Sequence, residues 1–547
     1  MNDSEQSPAT HVHVSRWTTL CLLALILCAA TGYFRAFSTF AEYDDEGYVM
    51  LSLKQHLSGG ALFDDVYSQY GPGWYAAQSA FHRLTSLPVS HDVTRFKTLT
   101  IWLAIASLAG VALWQLLQCR YFALAGAVLS FLHLERVTLE PGHPQELCTF
   151  ALAATLALTT RAKKHSCWNL LALGAIVGLA VVTKLNVGLL LVASLALAFS
   201  TAARNERHRR LLSTTVVVMI VAGVVVLTRS TFSELRGFRL PILVACSSGC
   251  VAWIAFENSA KQIRFGEHAL IHTTWIIVAA AACLVTLAGG TSTTALLDGL
   301  ILQHLGFADR FYTAAPIYGF AAPLAFASMV GLVWLQQSES RWQRILPTVI
   351  RYARLGAMVA IGGVLLRHFT DLRTPIAHGL DDRGHAGLLM SLLVPAAWVL
   401  LLSGRKGKEP VEFGRLVLAC VAVLQPLIAY PIPGAQMAAG SIPALLVGLV
   451  LASDFVKQEA TARSTTAFAL RFRRTVVGAA LLLLTLSTAC QWEHFERFEP
   501  LGLHGAKRLR VHPARSKELR ELTAALHANG DTFFSLHNGY NLSLIHI

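Results

Sequence analysis

Three adjacent carboxylates, Asp44, Asp45 and Glu46, stand just beyond the first apolar run of the chain (Trp17–Phe37). A second acid-aromatic stretch follows, Asp64-Asp65 and then Gln69-Tyr70-Gly71-Pro72-Gly73. Charge this dense beside a membrane is costly to place and desolvate, so it usually serves ions, sugars or phosphates. A carboxylate backed by apolar helices suits a general base that takes a proton from an attacking hydroxyl. Plain structural roles compete with that reading. Asp44 or Asp45 could cap a helix starting near Glu46, and Asp64-Asp65 with Gly71-Pro72 could be ordinary turn chemistry.

Four weaker features accompany the acids. His143-Pro144-Gln145-Glu146 opens an apolar segment, with Glu135, Arg136 and Glu140 just upstream. Thr183-Lys184-Leu185-Asn186 interrupts two apolar runs, where the ammonium could meet an anionic head group or simply snorkel to the interface. Segment 289–317 carries Asp298, His304, Asp309 and Arg310, and Tyr430–Gln436 forms a Pro/Gly turn. No run has metal-ligand spacing, so no cofactor is predicted; a divalent metal stays possible but has no support in the sequence. The ten cysteines contain no C-x-x-C pair and lie mostly in apolar segments, as buried structural residues do.

The elements that must position these groups are membrane helices. Of 547 residues 54% are hydrophobic and only 14% charged, with mean hydropathy +0.51. The expected fold is an all-α polytopic membrane protein of about 13–15 transmembrane helices. The net charge of +13 is not gathered into a nucleic-acid-binding patch. It alternates instead: one set of loops carries 24 Lys and Arg, and the opposite set, up to the last span, about 11. By the positive-inside rule the richer set and the N-terminal tail, 1–16, are cytoplasmic. Trp17–Phe37 is then a retained signal anchor. Loops 39–95, 133–145, 183–186, 229–239, 289–317, 368–385 and 431–439 face outward, and every chemically unusual group lies in them.

Loop 39–95 carries two helical patterns. Val49, Met50, Leu53 and Leu57 share one face, ended by Gly59-Gly60. Pro72 opens a second helix, with Trp74, Tyr75, Ala77, Phe81 and Leu84 on its apolar side. Both are expected as amphipathic helices on the outer membrane surface. Residues 17–490 form the membrane domain. Residues 491–547 form an outward tail, the beginning of a small α/β domain, with a helix over Ser516–Ala528. Leu542–Ile547 match the translation of a transposon-derived sequencing adaptor, so the natural chain is expected to continue beyond Asn541.

Taken in order, these features resemble the integral-membrane C-type glycosyltransferases. An acidic D-E-x-x-Y signature follows the first span, then come the acidic/aromatic Gly-Pro turn, the His-Pro-Gln-Glu helix start, the Thr-Lys turn and the Tyr-Pro turn ending in Gln436. The bacterial branch containing rhizobial lipopolysaccharide galacturonosyltransferases, the lipid A aminoarabinose transferase and the protein O-mannosyltransferases is most similar. The resemblance implies transfer of a hexosyl or pentosyl group from a polyprenyl-phosphate donor to a lipid, glycan or protein hydroxyl. That reaction would take place on the outer face of the bacterial cytoplasmic membrane, with no nucleic acid involved. It implies Asp45 as base, with Asp44 and Glu46 as neighbouring candidates, and Lys184 on the donor phosphate. Tyr48, Asp65, Gln69, Tyr70, His143, Glu146, Asn186 and Gln436 are the other expected substrate contacts. Because the leaving group is already a phosphate, the two-carboxylate scheme of glycosidases is not the template.

Two other classes compete. A transporter or flippase of lipid-linked sugars would carry ionisable residues near the midplane of its spans, and here the acids cluster in loops instead. A non-enzymatic membrane scaffold would be indifferent to loss of the Asp45 carboxylate.

Overall fold

The computed structural model describes residues 9–40, 45–138, 140–160, 166–229, 236–258, 263–305, 312–373, 383–402, 412–462, 464 and 466–529. Asp44, Asp309, Arg310 and residues 530–547 lie outside them. The chain is helical almost throughout, and nine of the described helices are long and apolar enough to cross a membrane. Shorter apolar helices such as Gln145–Thr159, Cys167–Thr183 and Leu185–Thr201 lie among them. The expected 13–15 crossings therefore depend on helices of 15–17 residues, about 23–26 Å long.

Eight elements position the site. They are α1 (Ala9–Ser38), α2 (Glu46–Leu57), α3 (Pro72–Thr85), α4 (His91–Leu117), α5 (Arg120–Val137), α6 (Gln145–Thr159), α7 (Cys167–Thr183) and α8 (Leu185–Thr201). Met437–Ala462 runs through the middle of the bundle, its whole apolar window buried by neighbouring helices. Thr466–Arg497 closes the bundle against α1, where the Thr31 and Thr488 hydroxyls meet at 2.7 Å.

The two helices of the first loop form where the sequence places them, but their apolar faces do not simply lie on lipid. Val49, Met50 and Leu53 of α2 pack with Trp74 and Tyr75 of α3 and with Leu62 and Val66, all nearly fully buried. Each such side chain contributes about 1.5–3 kcal/mol, so the pair makes a small core of its own. Leu84, expected on the apolar side, is 86% exposed.

The described part of the tail is a two-residue strand pair followed by a helix. Glu499–Pro500 pairs antiparallel with Arg510–Val511, and Pro513–Asn529 is helical. Leu501, Ala506, Leu509, Val511 and Leu519 form its core, with Phe40 packed against it. The Asp92 carboxylate at the start of α4 accepts the backbone N–H groups of Lys507 and Arg508 at 3.1 and 3.2 Å. That contact uses a helix N-terminus where an acid is favoured anyway.

Candidate active site

The three neighbouring acids have separate surroundings. Asp45 takes the N-cap position of α2, yet its side chain makes no capping bond. Its Oδ2 accepts the Tyr70 hydroxyl at 2.7 Å and lies 3.4 Å from His143 Nε2. The side chain keeps 38% exposure. Its Oδ1 makes no hydrogen bond among the described residues. Glu46, by contrast, is fully buried. Arg95 of α4 grips it through Nε at 3.0 Å and Nη2 at 2.5 Å, and His91 Nδ1 stands 3.0 Å away. The same guanidinium donates to the Ala36 and Thr39 carbonyls at the end of α1. Glu46 thus fastens α2 to α1 and α4.

A glycine turn brings Tyr70 to Asp45. The Gly71 N–H donates to the Thr183 carbonyl at 3.0 Å, and a Cβ on Gly71 would stand 2.1 Å from the Val182 carbonyl oxygen. Only glycine permits this approach of the α3 start to the α7 end. Lys184 follows at once. Its extended backbone (φ −150°, ψ 108°) breaks the helical run between α7 and α8, and its ammonium lies 5.7 Å from the centre of the Tyr70 ring. It pairs with no carboxylate among the described residues. The acid-aromatic turn and the Thr-Lys turn, more than a hundred residues apart in sequence, form one wall.

The opposite wall is the turn Glu140-Pro141-Gly142-His143. Gly142 has φ +76°, and its N–H donates to Thr98 Oγ1 at 2.8 Å. That hydroxyl in turn donates to Glu146 Oε2 at 3.0 Å. Glu146 therefore holds the turn from behind. His143 Nε2 reaches Tyr70 Oη at 2.7 Å and stands 3.6 Å from Glu140 Oε2, while its Nδ1 accepts the Gln145 N–H at 3.2 Å.

These contacts separate the two acids electrostatically. Burial alone would raise the Asp45 carboxyl, but hydrogen bonding from the His143 ring and the Tyr70 hydroxyl, with the Lys184 ammonium nearby, holds it below the usual range. Burial pushes Glu140 up, and the nearby Asp45 charge adds to that. Burial likewise lowers Lys184 and, with the Asp45 charge, raises Tyr70 well above an ordinary phenol.

The remaining expected contacts divide. Tyr48 shelves Tyr70, with ring centres 6.2 Å apart, and accepts the Gln69 N–H at 2.9 Å. Gln436 stands behind His143: its Oε1 accepts from Gln145 Nε2 at 3.4 Å and its own amide donates to the Ile432 carbonyl. Asp65 turns its carboxylate to the Ala61 N–H at 2.8 Å, and Asn186 accepts the Val187 N–H at 2.9 Å. Both make local turn and cap contacts. The sequence reading underrated Glu140, although the E-x-x-H spacing across Pro141-Gly142 was there to be read. Arg95 and His91, which fix Glu46, carried no distinct signal, standing beside Asp92 and Lys97 in the polar first turns of α4. Segment 291–305 also joins the site. Ser292 donates to Asp64 through its N–H at 2.7 Å and its hydroxyl at 2.9 Å, and Gln303 donates to the Ser68 carbonyl at 3.0 Å. The Lys184 charge is felt at His304.

Comparison with known proteins adds context to this geometry. No protein-family model matches the chain, and no curated protein matches it. Among solved structures it is similar to the oligosaccharyltransferase AglB from Archaeoglobus fulgidus, in complex with an inhibitory peptide and a dolichol-phosphate. The TM-score is 0.42 and the identity 13%, over 96% of this chain and 58% of that one. A second structure of the Archaeoglobus fulgidus oligosaccharyltransferase, in complex with Zn and sulfate, gives 0.37 and 12%, over 93% and 56%. ArnT from Cupriavidus metallidurans gives 0.30 and 15%, over 83% and 81%. The chain spans less than two thirds of the length of the archaeal enzyme.

Asp45, Glu140 and His143 also raise the question of a metal ion. One ligand atom from each lies within 4.8 Å of the others. The 3.4 and 3.6 Å edges are near the roughly 3.0–3.5 Å between neighbouring ligands of a small divalent ion. Donor type and spacing fit such an ion. The protonation of His143 does not: with Nδ1 accepting a backbone N–H, the proton of the neutral ring stands on Nε2, the atom that would have to bind the metal.

Proposed function

We propose that this chain is a glycosyltransferase that moves a sugar from a polyprenyl-phosphate donor to an acceptor hydroxyl. The observation that carries the reading is that Tyr70 sits between a partly exposed carboxylate, Asp45, and the Lys184 ammonium, which pairs with no carboxylate among the described residues. The acceptor hydroxyl gives its proton to Asp45 Oδ1 as its oxygen attacks the anomeric carbon. The bond from that carbon to the phosphate oxygen breaks, and the electron pair leaves with the phosphate beside Lys184. A single displacement of this kind inverts the anomeric centre. One base and one phosphate partner suffice, because phosphate needs no proton in order to leave.

In this reading residues 17–490 are the transferase domain in the bacterial cytoplasmic membrane. The N-terminus is cytoplasmic, the 39–95 loop lies at the periplasmic face, and residues 491–547 belong to the periplasmic segment. The lipid tail of the donor enters between helices, and the acceptor is an envelope lipid, glycan or protein. Asp45 is the base. Glu46 is a positioning residue, since its charge is spent on Arg95. Tyr48, Tyr70, His143, Glu146 and Gln436 position the base and its turn.

The test uses the purified full chain with radiolabelled polyprenyl-phosphate sugars and outer-leaflet acceptors, beside Asp45→Asn and Lys184→Ala. Wild-type transfer lost in both variants supports the reading. Transfer that survives both substitutions would contradict the site. Scrambling of lipid-linked sugar across vesicles, with no transfer from any donor, would favour a flippase.

A further inference from the structure

We infer that His143 serves this site as a hydrogen-bond donor and not as a cation ligand, so that Asp45, Tyr70 and His143 form a directed relay where the spacing alone would place a metal. The inference deepens the proposed function, but its binding test needs no transfer activity, so the two can fail separately.

Three observations carry it. The Gln145 N–H, 3.2 Å from His143 Nδ1, makes that nitrogen an acceptor in a buried turn. A neutral imidazole with an acceptor Nδ1 carries its proton on Nε2. Metal-bound histidines show the reverse arrangement, donating their second ring N–H to a carbonyl or carboxylate. Next, Tyr70 Oη stands 2.7 Å from both His143 Nε2 and Asp45 Oδ2, the closest oxygen that Nε2 meets. With Tyr70 donating to Asp45, its oxygen is left to accept from His143 Nε2–H, and all three bonds run one way. Finally, the positive charge that an ion would supply has another source. Lys184 lies over the Tyr70 ring, and its ammonium and Arg383 both act on Glu140.

The relay fixes which oxygen of Asp45 is engaged. Oδ2 is occupied by Tyr70, so the arriving proton goes to Oδ1. His143 and Tyr70 act through Asp45 and are positioning residues.

The test compares Mn²⁺ and Zn²⁺ binding to the full chain in detergent, by calorimetry and Mn²⁺ spectroscopy. The variants are His143→Ala, Gln145→Ala and Gln145→Pro. Proline at the first position of α6 deletes the N–H donor, whereas alanine keeps it and controls for the loss of the side-chain amide that meets Gln436. Wild type, His143→Ala and Gln145→Ala should bind either ion alike, within about twofold. Gln145→Pro frees Nδ1 to take the proton and should bind at least about tenfold tighter, a gain lost when His143→Ala is added. Nitrogen spectra of histidine-labelled protein should show a ring with bare Nδ1 and protonated Nε2 that disappears in His143→Ala. Two results would overturn the inference: wild type binding one ion at least about tenfold more tightly than His143→Ala, or a His143 ring protonated on Nδ1. A folded Gln145→Pro chain with no gain in binding would do the same. If that variant does not fold, the wild-type comparison and the spectra decide alone.

Discussion

Asp45 and Glu46 are neighbours in the chain with opposite surroundings: Glu46 is buried on the Arg95 guanidinium, while Asp45 stays 38% exposed and touches Tyr70 and His143. The pairing is economical. Glu46 fixes the start of α2 against α1 and α4, and that anchor holds the adjacent carboxylate at the mouth of the site.

The anchor makes a stability prediction. Burial opposes the Glu46 charge, but Arg95 and His91 outweigh it and bring the carboxyl down to about 2. An ordinary glutamate titrates near ~4.3. A depressed folded pKa contributes stability that is fully present above the unfolded value and is lost as pH falls toward the folded one. The first loop should therefore lose up to about 3 kcal/mol between roughly pH 4.5 and pH 2. Hydrogen exchange of α2 across that range checks this. Arg95→Met should cost about 3–5 kcal/mol at neutral pH, since it strands a buried charge. Glu46→Gln should cost less.

Activity should carry its own pH signature. Asp45 works as a base only when ionised, and its surroundings hold it ionised to lower pH than usual. The acid limb of kcat/KM should accordingly lie below the ordinary carboxylate range. Tyr70→Phe removes one donor to Oδ2 and should move that limb up by about one pH unit. Lys184→Ala should move it the same way while also raising KM for the donor. An unmoved limb in both variants would contradict the electrostatic assignment.

Gly71→Ala tests the contact between the two turns. The new Cβ would meet the Val182 carbonyl oxygen at 2.1 Å, so the α3 start must retreat and carry Tyr70 with it. Transfer should fall by about 10²-fold, as misplacement by an ångström typically does. The membrane helices should keep their stability, which thermal unfolding would report.

Much of this architecture was legible in the chain. The apolar runs and the alternating charge give a polytopic helical protein, and Gly59-Gly60 and Pro72 mark α2 and α3 because those residues have local backbone consequences. The acids at 44–46, Tyr70, His143 and Lys184 stood out as polar interruptions of apolar sequence. What could not be read was their partition. Whether Asp45 or Glu46 faces the site depends on Arg95, some fifty residues away among the other polar residues that open α4. The joining of the Gly71 and Thr183 turns is likewise a matter of tertiary packing, which periodicity does not encode. Asp65 and Asn186 stood out because acids and amides are chosen both for substrates and for turns, and each here accepts a local backbone N–H.

The central claim is that Asp45 takes the proton from the acceptor. Its most direct test is the single-turnover rate of sugar transfer in Asp45→Asn, measured beside the affinity of the same protein for polyprenyl phosphate. The prediction is affinity within about threefold of wild type and a transfer rate lower by about 10²–10⁴-fold. Transfer within about tenfold of wild type, at unchanged affinity, would contradict it.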